Sequence, residues 1–274
     1  MLTGSCGAVL DAVQGFMFDV DGTLLHRGTD GRGRPQPGAV EVLARIRASG
    51  RKLVLFTNAS HVPSATVARG LRDDGLPVCD HEVLTPTDSA ITFLGKHHAP
   101  ARVLLFASVA VTEHMAQAGV MLAEGEDAGV VFVAHQDEVE LSSIERAARA
   151  VRRGAPLFTS SYVAGYAGAN GMIFSRGAMI TAAIAKVSGV RPRVLGKPSR
   201  AAIDALRTRL GVPTRELAVI GDDLEMDIAL GRMGGSKTIL VRSGISGAID
   251  LSRVAERRRP DAVIDGVAEL LELL

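Results

Sequence analysis

Cysteine is nearly absent from this chain. Cys6 and Cys79 are the only two in 274 residues. They form no spacing motif, which excludes a disulfide framework and fits a reducing compartment. Long apolar runs are missing as well: none reaches the ~18 residues of a membrane span. Residues 1–15 lack the basic stretch followed by an apolar core that marks a signal peptide. The expectation is a soluble, cytoplasmic protein with no membrane partner. An excess of either charge is also lacking, because 31 Lys and Arg stand against 30 Asp and Glu, for a net charge of +1. That balance excludes an acidic tail and gives no sign of a nucleic-acid partner. Lysine is scarce, five against 26 arginines, a skew that reads as genomic base composition. The run Arg257-Arg258-Arg259 reads as a solvated loop. Gly28–Gly33 is glycine-rich, but no Gly-Lys-Ser/Thr follows it, so a flexible hairpin is the better reading than a phosphate loop. No close internal repeat is present.

What is present is enough for a core, at 47% hydrophobic and 22% charged residues, in one large domain or two modest ones. The chain is organised around Gly15-Phe16-Met17-Phe18-Asp19-Val20-Asp21-Gly22-Thr23-Leu24-Leu25. A short apolar run there reads as a buried strand, and it ends in two carboxylates one residue apart. Residues i and i+2 of a strand share a side, so Asp19 and Asp21 are expected to converge while Gly22 turns the chain away. Close carboxylates repel unless a cation sits between them or one holds a proton. The pair therefore suits either a magnesium site or a nucleophile beside a general acid. A plain polar turn after a strand accounts for Asp-x-Asp-Gly alone about equally well.

Strand and helix patterns alternate along the rest of the chain. A helix over 38–48 precedes a strand at 52–56 ending in Thr57-Asn58, and a helix from Pro63 to about 74 follows. In the middle third, helices at 86–97, 110–118 and 141–152 alternate with strands at 102–106, 129–134 and 156–159. A loop over 160–170, a strand at 171–174 and a helix at 177–188 complete that block. In the last third, Gly196-Lys197-Pro198-Ser199 precedes a helix at 199–210. A strand at 217–220 ends in Gly221-Asp222-Asp223-Leu224-Glu225-Met226-Asp227, with strands at 237–241 and 262–264 and a closing helix at 267–274. Such alternation predicts a parallel sheet covered by helices, with ligands beyond the carboxyl ends of its strands. No polar linker sets off the middle block, which reads as a second α/β domain inserted into the first.

Four clusters fall at those ends: Asp19/Asp21, Thr57/Asn58, Lys197 and Asp222/Asp227. Taken singly, each has a bland explanation, Lys197 as a solvated charge, Thr57-Asn58 as a turn or cap, Asp222 as a helix cap. Taken together they hold two acid pairs, a hydroxyl, an amide and an ammonium. That is the equipment of phosphoryl transfer, in which carboxylates hold magnesium and neutral or cationic donors hold phosphate oxygens.

In order and in kind, the four clusters resemble the four motifs of the haloacid dehalogenase-like (HAD) phosphohydrolases. The insert before Lys197 resembles the large α/β cap of the NagD-like branch, subfamily IIA, which includes 4-nitrophenyl-, pyridoxal phosphate and phosphoglycolate phosphatases. The likeness implies a Rossmann-like parallel-sheet α/β core over 1–81 and 187–274, with an inserted α/β cap over 82–186 that sets substrate specificity. It implies a phosphoric monoester hydrolase with Asp19 as nucleophile and Asp21 as general acid and then base. Thr57 and Asn58 would bind phosphate, and Lys197 would neutralise the Asp19–phosphate pair. Mg2+ would be held by the Asp19 carboxylate, the Asp21 backbone carbonyl and Asp222. Asp227 would act through water or by orienting Lys197, with Asp223 a further supporting neighbour. Asp21 argues against dehalogenation, and the large cap argues for a small phosphorylated metabolite rather than a protein substrate. Relatives of this branch often pair through the cap, so a homodimer is expected.

One departure concerns the cap. Where many relatives carry an Asn-Pro-Asp-like string, this chain reads Thr159-Ser160-Ser161-Tyr162. Tyr162, or Tyr166, is then the candidate contact for a substrate ring or hydroxyl, against the alternative of a packed core tyrosine. Two other functions fit the same residues: a protein that binds a phosphorylated metabolite with little turnover, and a phospho-acceptor regulatory domain. Receiver domains of the latter kind are about half this length and carry no cap.

Overall fold

The computed structural model describes residues 10, 12–28, 31–168 and 171–274. The expected lead-in before residue 10, Cys6, the centre of the 28–33 loop and the end of the 160–170 loop lie outside the described residues. The chain forms two compact units. Of the described residues, one comprises those up to Thr57, Ala65–Leu84 and Pro198–Leu274, and the other those of Asn58–Ser64 and Thr85–Lys197.

In chain order the strands are β1 (Gly15–Phe18), β2 (Leu25–Arg27), β3 (Gly33–Pro35), β4 (Lys52–Phe56), β5 (Val83–Leu84), β6 (Val103–Phe106), β7 (Leu122–Ala123), β8 (Val130–Val133), β9 (Leu157–Thr159), β10 (Gly165–Gly168), β11 (Gly171–Phe174), β12 (Arg193–Val194), β13 (Leu217–Gly221), β14 (Lys237–Val241) and β15 (Ala262–Ile264). The helices are α1 (Ala39–Ala48), α2 (Ser64–Asp73), α3 (Pro86–His97), α4 (Val109–Gln117), α5 (Leu141–Arg152), α6 (Arg176–Ser188), α7 (Arg200–Leu210) and α8 (Ala229–Gly234).

The first unit is built on a parallel sheet in the order β15-β14-β13-β1-β4-β5. Its central strands are apolar at successive positions because both faces are covered. Phe16, Phe18, Leu53, Leu55, Ala218 and Ile220 pack with Val42, Leu43 and Ile46 of α1. Met17, Val54, Phe56 and Val219 face the other way, onto Ala202, Leu206 and Leu210 of α7. Each large side chain so buried contributes about 1.5–3 kcal/mol. The Ser199 hydroxyl accepts from the Ala202 N–H at 3.0 Å and starts α7, and Gly211, at φ 65°, ends it. β1 lies between β13 and β4, where the strand order reverses direction. Its carboxyl end is thus the position at which open α/β sheets place their ligands. Immediately after it, β2 and β3 form an antiparallel hairpin with Arg27 opposite Gly33.

The second unit has its own parallel sheet, β12-β9-β8-β6-β7. Its core joins Leu104, Val131, Val133 and Leu157 to Ala147 and Val151 of α5 and to Ile180 and Ile184 of α6. The expected cap limits of 82 and 186 do not coincide with this unit. Val83–Leu84 pairs with β4 in the first sheet, so residue 82 is too early a start. Residue 186 falls inside α6, and the unit continues to Lys197 because Arg193–Val194 adds β12 beside β9. The expected loop over 160–170 carries β10, which pairs antiparallel with β11. The closing segment Val267–Glu272 is a 3-10 helix. Among the described residues, no helix is long and apolar enough to cross a membrane.

Candidate active site

The site begins where β1 and β13 end side by side. The Asp19 N–H donates to the Ile220 carbonyl at 2.8 Å, which fixes the start of the Asp19 loop against the strand that leads into Asp222. Ligand oxygens of Asp19, Asp222 and Asp227 all lie within 4.8 Å of one another. Asp222 and Asp227 are buried, and Asp19 is half-buried. A five-residue π-helical turn, Leu224–Ile228, carries Asp227 back toward the strand end. Asp227 Oδ2 accepts there from the Asp223 N–H at 3.2 Å. Asp223 turns its own carboxylate the other way and caps the turn, accepting from the N–H groups of Glu225 and Met226 at 2.7 and 3.3 Å.

Asp222 is held from the far side by the loop after β14. Its Oδ2 accepts from the Ile245 N–H at 2.7 Å, and its backbone carbonyl accepts from the Ser246 N–H at 3.0 Å. The Ser246 hydroxyl accepts from Leu224 N–H at 3.2 Å, and the Ser243 hydroxyl donates to the Gly22 carbonyl at 2.7 Å. A Cβ at Gly22 or at Gly244 would collide with the Asp222 carboxylate, and one at Gly221 would collide with that of Asp227. Gly22 also needs its φ of 88° for the turn. Burial, then the neighbouring charge of Asp19 and that of Asp223, push the Asp222 carboxyl up to about 6, against the pull of the Ile245 N–H. Three crowded carboxylates, one of them disfavoured as an anion, make an all-oxygen donor set that suits a hard divalent cation such as magnesium.

The Asp21 carboxylate is not part of the triad, and its side chain is 51% exposed. Gly22 bends the chain immediately after it, Gly22 N–H donating to the Leu25 carbonyl at 2.8 Å. The side chain meets Arg27 Nε at 2.6 Å. Thr57 is buried, with its N–H donating to the Leu84 carbonyl at 3.2 Å. The Asn58 Oδ1 is buried without a protein donor; turning the amide over presents the NH2 group there, the donor that a phosphoryl oxygen requires. Lys197 is 2% exposed, which removes the solvated-charge reading. It follows Gly196, whose N–H donates to the Ser160 carbonyl at 3.0 Å. Tyr162 and Tyr166 are 45% and 56% exposed, so neither is a packed core residue. In the string before Tyr162, the Thr159 hydroxyl donates to the Ser161 carbonyl at 2.9 Å, and the Ser160 hydroxyl to the Ala134 carbonyl at 3.3 Å. The residues missed from sequence are Arg27, Asp74 and the Ser243–Ser246 loop. The only signal for that loop was its Ser-Gly-Ile-Ser-Gly composition after a strand.

Comparison with known proteins places this arrangement. The model of the haloacid dehalogenase-like hydrolases matches residues 16–121, and a second HAD-hydrolase-like model matches 194–270. The chain belongs to the haloacid dehalogenase-like hydrolases. It is 28% identical to the ribonucleotide monophosphatase NagD of Escherichia coli strain K12, over 94% of this chain and 98% of that protein. It is 25% identical to the sugar-phosphatase AraL of Bacillus subtilis strain 168, over 94% of this chain and 92% of that one. The solved structure of a 4-nitrophenylphosphatase from Thermotoga maritima superposes with a TM-score of 0.85 at 26% identity, covering 97% of this chain and 99% of that one. Within its class the protein is a member of the NagD-like branch.

Proposed function

We propose that this hydrolase is a magnesium-dependent phosphatase that cleaves small phosphomonoesters through a phosphorylated Asp19. The carrying observation is the carboxylate triad of Asp19, Asp222 and Asp227 at the switch point of a HAD-like sheet. An Asp19 oxygen bonds to phosphorus as the bond from phosphorus to the leaving oxygen breaks, and Asp21 gives that oxygen its proton. Water then attacks the phosphorus of phospho-Asp19, its proton passes to Asp21, and the Asp19 carboxylate is released with inorganic phosphate. Thr57 and Asn58 bind the phosphoryl oxygens, and Lys197 offsets the charge of the Asp19–phosphate pair. Asp19, Asp222 and the Asp21 backbone carbonyl would hold magnesium, with Asp227 acting through water or on Lys197. When bound, the ion supplies charge neutralisation and a Lewis acid. Asp223 supports the site as the cap of the Asp227 turn.

Substrate choice belongs to the second unit in this reading, with Tyr162 as a contact. The relatives' names cover sugar phosphates, ribonucleotide monophosphates and 4-nitrophenyl phosphate, so a small phosphorylated metabolite is the substrate class. A cytoplasmic location and pairing of two copies through the second unit belong to the same proposal. The pairing is supported by the exposed Met172, Ile173 and Phe174 of β11 and Met179 of α6.

The test is phosphate release with magnesium across sugar phosphates, nucleotides, pyridoxal phosphate, phosphoglycolate and 4-nitrophenyl phosphate. Asp19→Asn is expected to lower turnover by roughly 10⁴-fold or more. Tight binding of a panel member by folded, metal-loaded wild type without any phosphate release would replace this reading with that of a binding protein.

A further inference from the structure

Asp21 differs from the other acids of the site because its side chain is half exposed and immediately precedes a glycine turn. An aspartate so placed has several staggered rotamers open to it. Proton transfer needs it within about 2.6–3.2 Å of the leaving oxygen, and a misplacement of about 1 Å costs on the order of 100-fold. Something must therefore hold it.

Arg27 contacts Asp21 directly. Its Nε donates to Asp21 Oδ1 at 2.6 Å, and its Nη1 lies 3.6 Å from Asp74 Oδ2. Asp74 Oδ1 accepts in turn from the Gly33 N–H at 3.2 Å. Gly33 is the residue opposite Arg27 in the β2–β3 hairpin, and a Cβ there would collide with the Asp74 carboxylate. Asp74 thus grips both sides of the last hairpin rung, and Arg27 carries that anchorage to Asp21. The Arg27 and Asp21 side chains are 47% and 51% exposed, and ion pairs so exposed contribute little to stability. What a guanidinium fork spanning two carboxylates does contribute is direction.

We propose that Arg27 is a positioning residue for the proton transfers of Asp21, anchored by Asp74. With Oδ1 engaged by Arg27, Oδ2 is the oxygen that hands its proton to the leaving group and takes one from water in the second step. The proposal rests on the assignment of Asp21 as general acid and base.

The test compares kcat/KM for two leaving groups. The phenolate of 4-nitrophenyl phosphate leaves without a proton, whereas the alkoxides of glycerol phosphate and sugar 6-phosphates need one. The ratio of alkyl to aryl kcat/KM reads the proton donor in the first step. Asp21→Asn is expected to lower that ratio by roughly 10²–10⁴-fold. Arg27→Gln should lower it by roughly 10- to 100-fold, about what a small misplacement costs. Arg27→Lys should restore part of the loss, since an ammonium can reach one carboxylate but lacks the fork. Asp74→Asn should lower the ratio in the same direction and supplies the reading should Arg27→Gln fail to fold. The proposal is overturned if Asp21→Asn lowers the ratio while the folded Arg27 and Asp74 variants leave it at the wild-type value, or depress both substrates equally. An unchanged ratio in Asp21→Asn would instead remove the acid role from Asp21, and this inference with it.

Discussion

At the scale of single residues, Asp222 sets function against stability. Its carboxyl is raised to about 6 by burial and by the charge of Asp19. A carboxyl raised above its unfolded value of 3.8 lends stability that is fully present below that value and lost as pH rises through about 6. Near neutral pH the metal-free protein therefore carries an unfavourable charge that a bound cation would offset. Asp222→Asn should stabilise the metal-free protein at pH 7 by about 2 kcal/mol and flatten the loss of stability between pH 4 and pH 7. The same change should abolish the stabilisation produced by magnesium. Urea unfolding in EDTA at the two pH values, repeated with magnesium, measures both effects. A variant that is less stable than wild type at pH 7 in EDTA would contradict the account. Asp222 and Asp227 were legible in the sequence only as one of four clusters set in order at strand ends, since Asp222 alone reads equally as a helix cap. Arg27 was not, because a half-exposed arginine six residues from an aspartate carries no pattern until a hairpin folds it back.

At the scale of elements, the strands legible from sequence were those whose apolar runs are long enough to show both faces, such as Leu53–Phe56 and Leu217–Ile220. The two-residue strands β5, β7 and β12 escaped notice because their identity lies in their partners. That blindness displaced the expected cap limits, since β5 belongs to the first sheet and β12 to the second. The edge at β5 depends on a contact no local pattern reveals. Arg47 of α1 forks onto Glu82, Nε to Oε1 at 2.8 Å and Nη2 to Oε2 at 2.7 Å, while the Cys79 N–H also donates to Oε2 at 2.8 Å. Burial alone would push the Glu82 carboxyl up. The Arg47 bonds, the Cys79 N–H and the charges of Arg47 and His81 together hold it below its ordinary value. A lowered carboxyl contributes stability above its unfolded value of 4.5, and that contribution is lost as pH falls through the folded one. This is the opposite sense to Asp222. Glu82→Gln should cost about 1–3 kcal/mol at pH 7, less than the ~3–5 kcal/mol of a fully buried broken pair because Arg47 is partly solvated. The difference from wild type should shrink as the pH falls below about 4. Denaturant midpoints for the two proteins at pH 7 and pH 3.5 decide it, and a gap that widens in acid would rule out the pair as its source.

At the scale of the whole molecule, the chain has two units with separate cores. The triad and the loop that braces it come from residues 19, 222, 227 and 243–246, far apart in the chain yet all in the first unit. Among the described residues, the apolar clusters on the two faces of the first sheet contain no residue of the second unit's core. A cation that binds the folded first unit raises its stability by RT ln(1 + [L]/Kd), about 2.7 kcal/mol at 100 Kd. Stability need not be uniform across a chain, and units with their own cores can open separately. Magnesium should therefore slow hydrogen–deuterium exchange in β1, β13 and the 242–247 loop, and in the interior of β4, by an amount that grows with its concentration. The amides of β8 and β9 in the second unit should exchange at the rates seen in EDTA. Asp222→Asn should erase the effect in the first unit and leave the second unit as it was. Equal protection of both sheets by magnesium would mean that the chain opens as one cooperative body, and that the metal stabilises the second unit as strongly as the unit that holds its ligands.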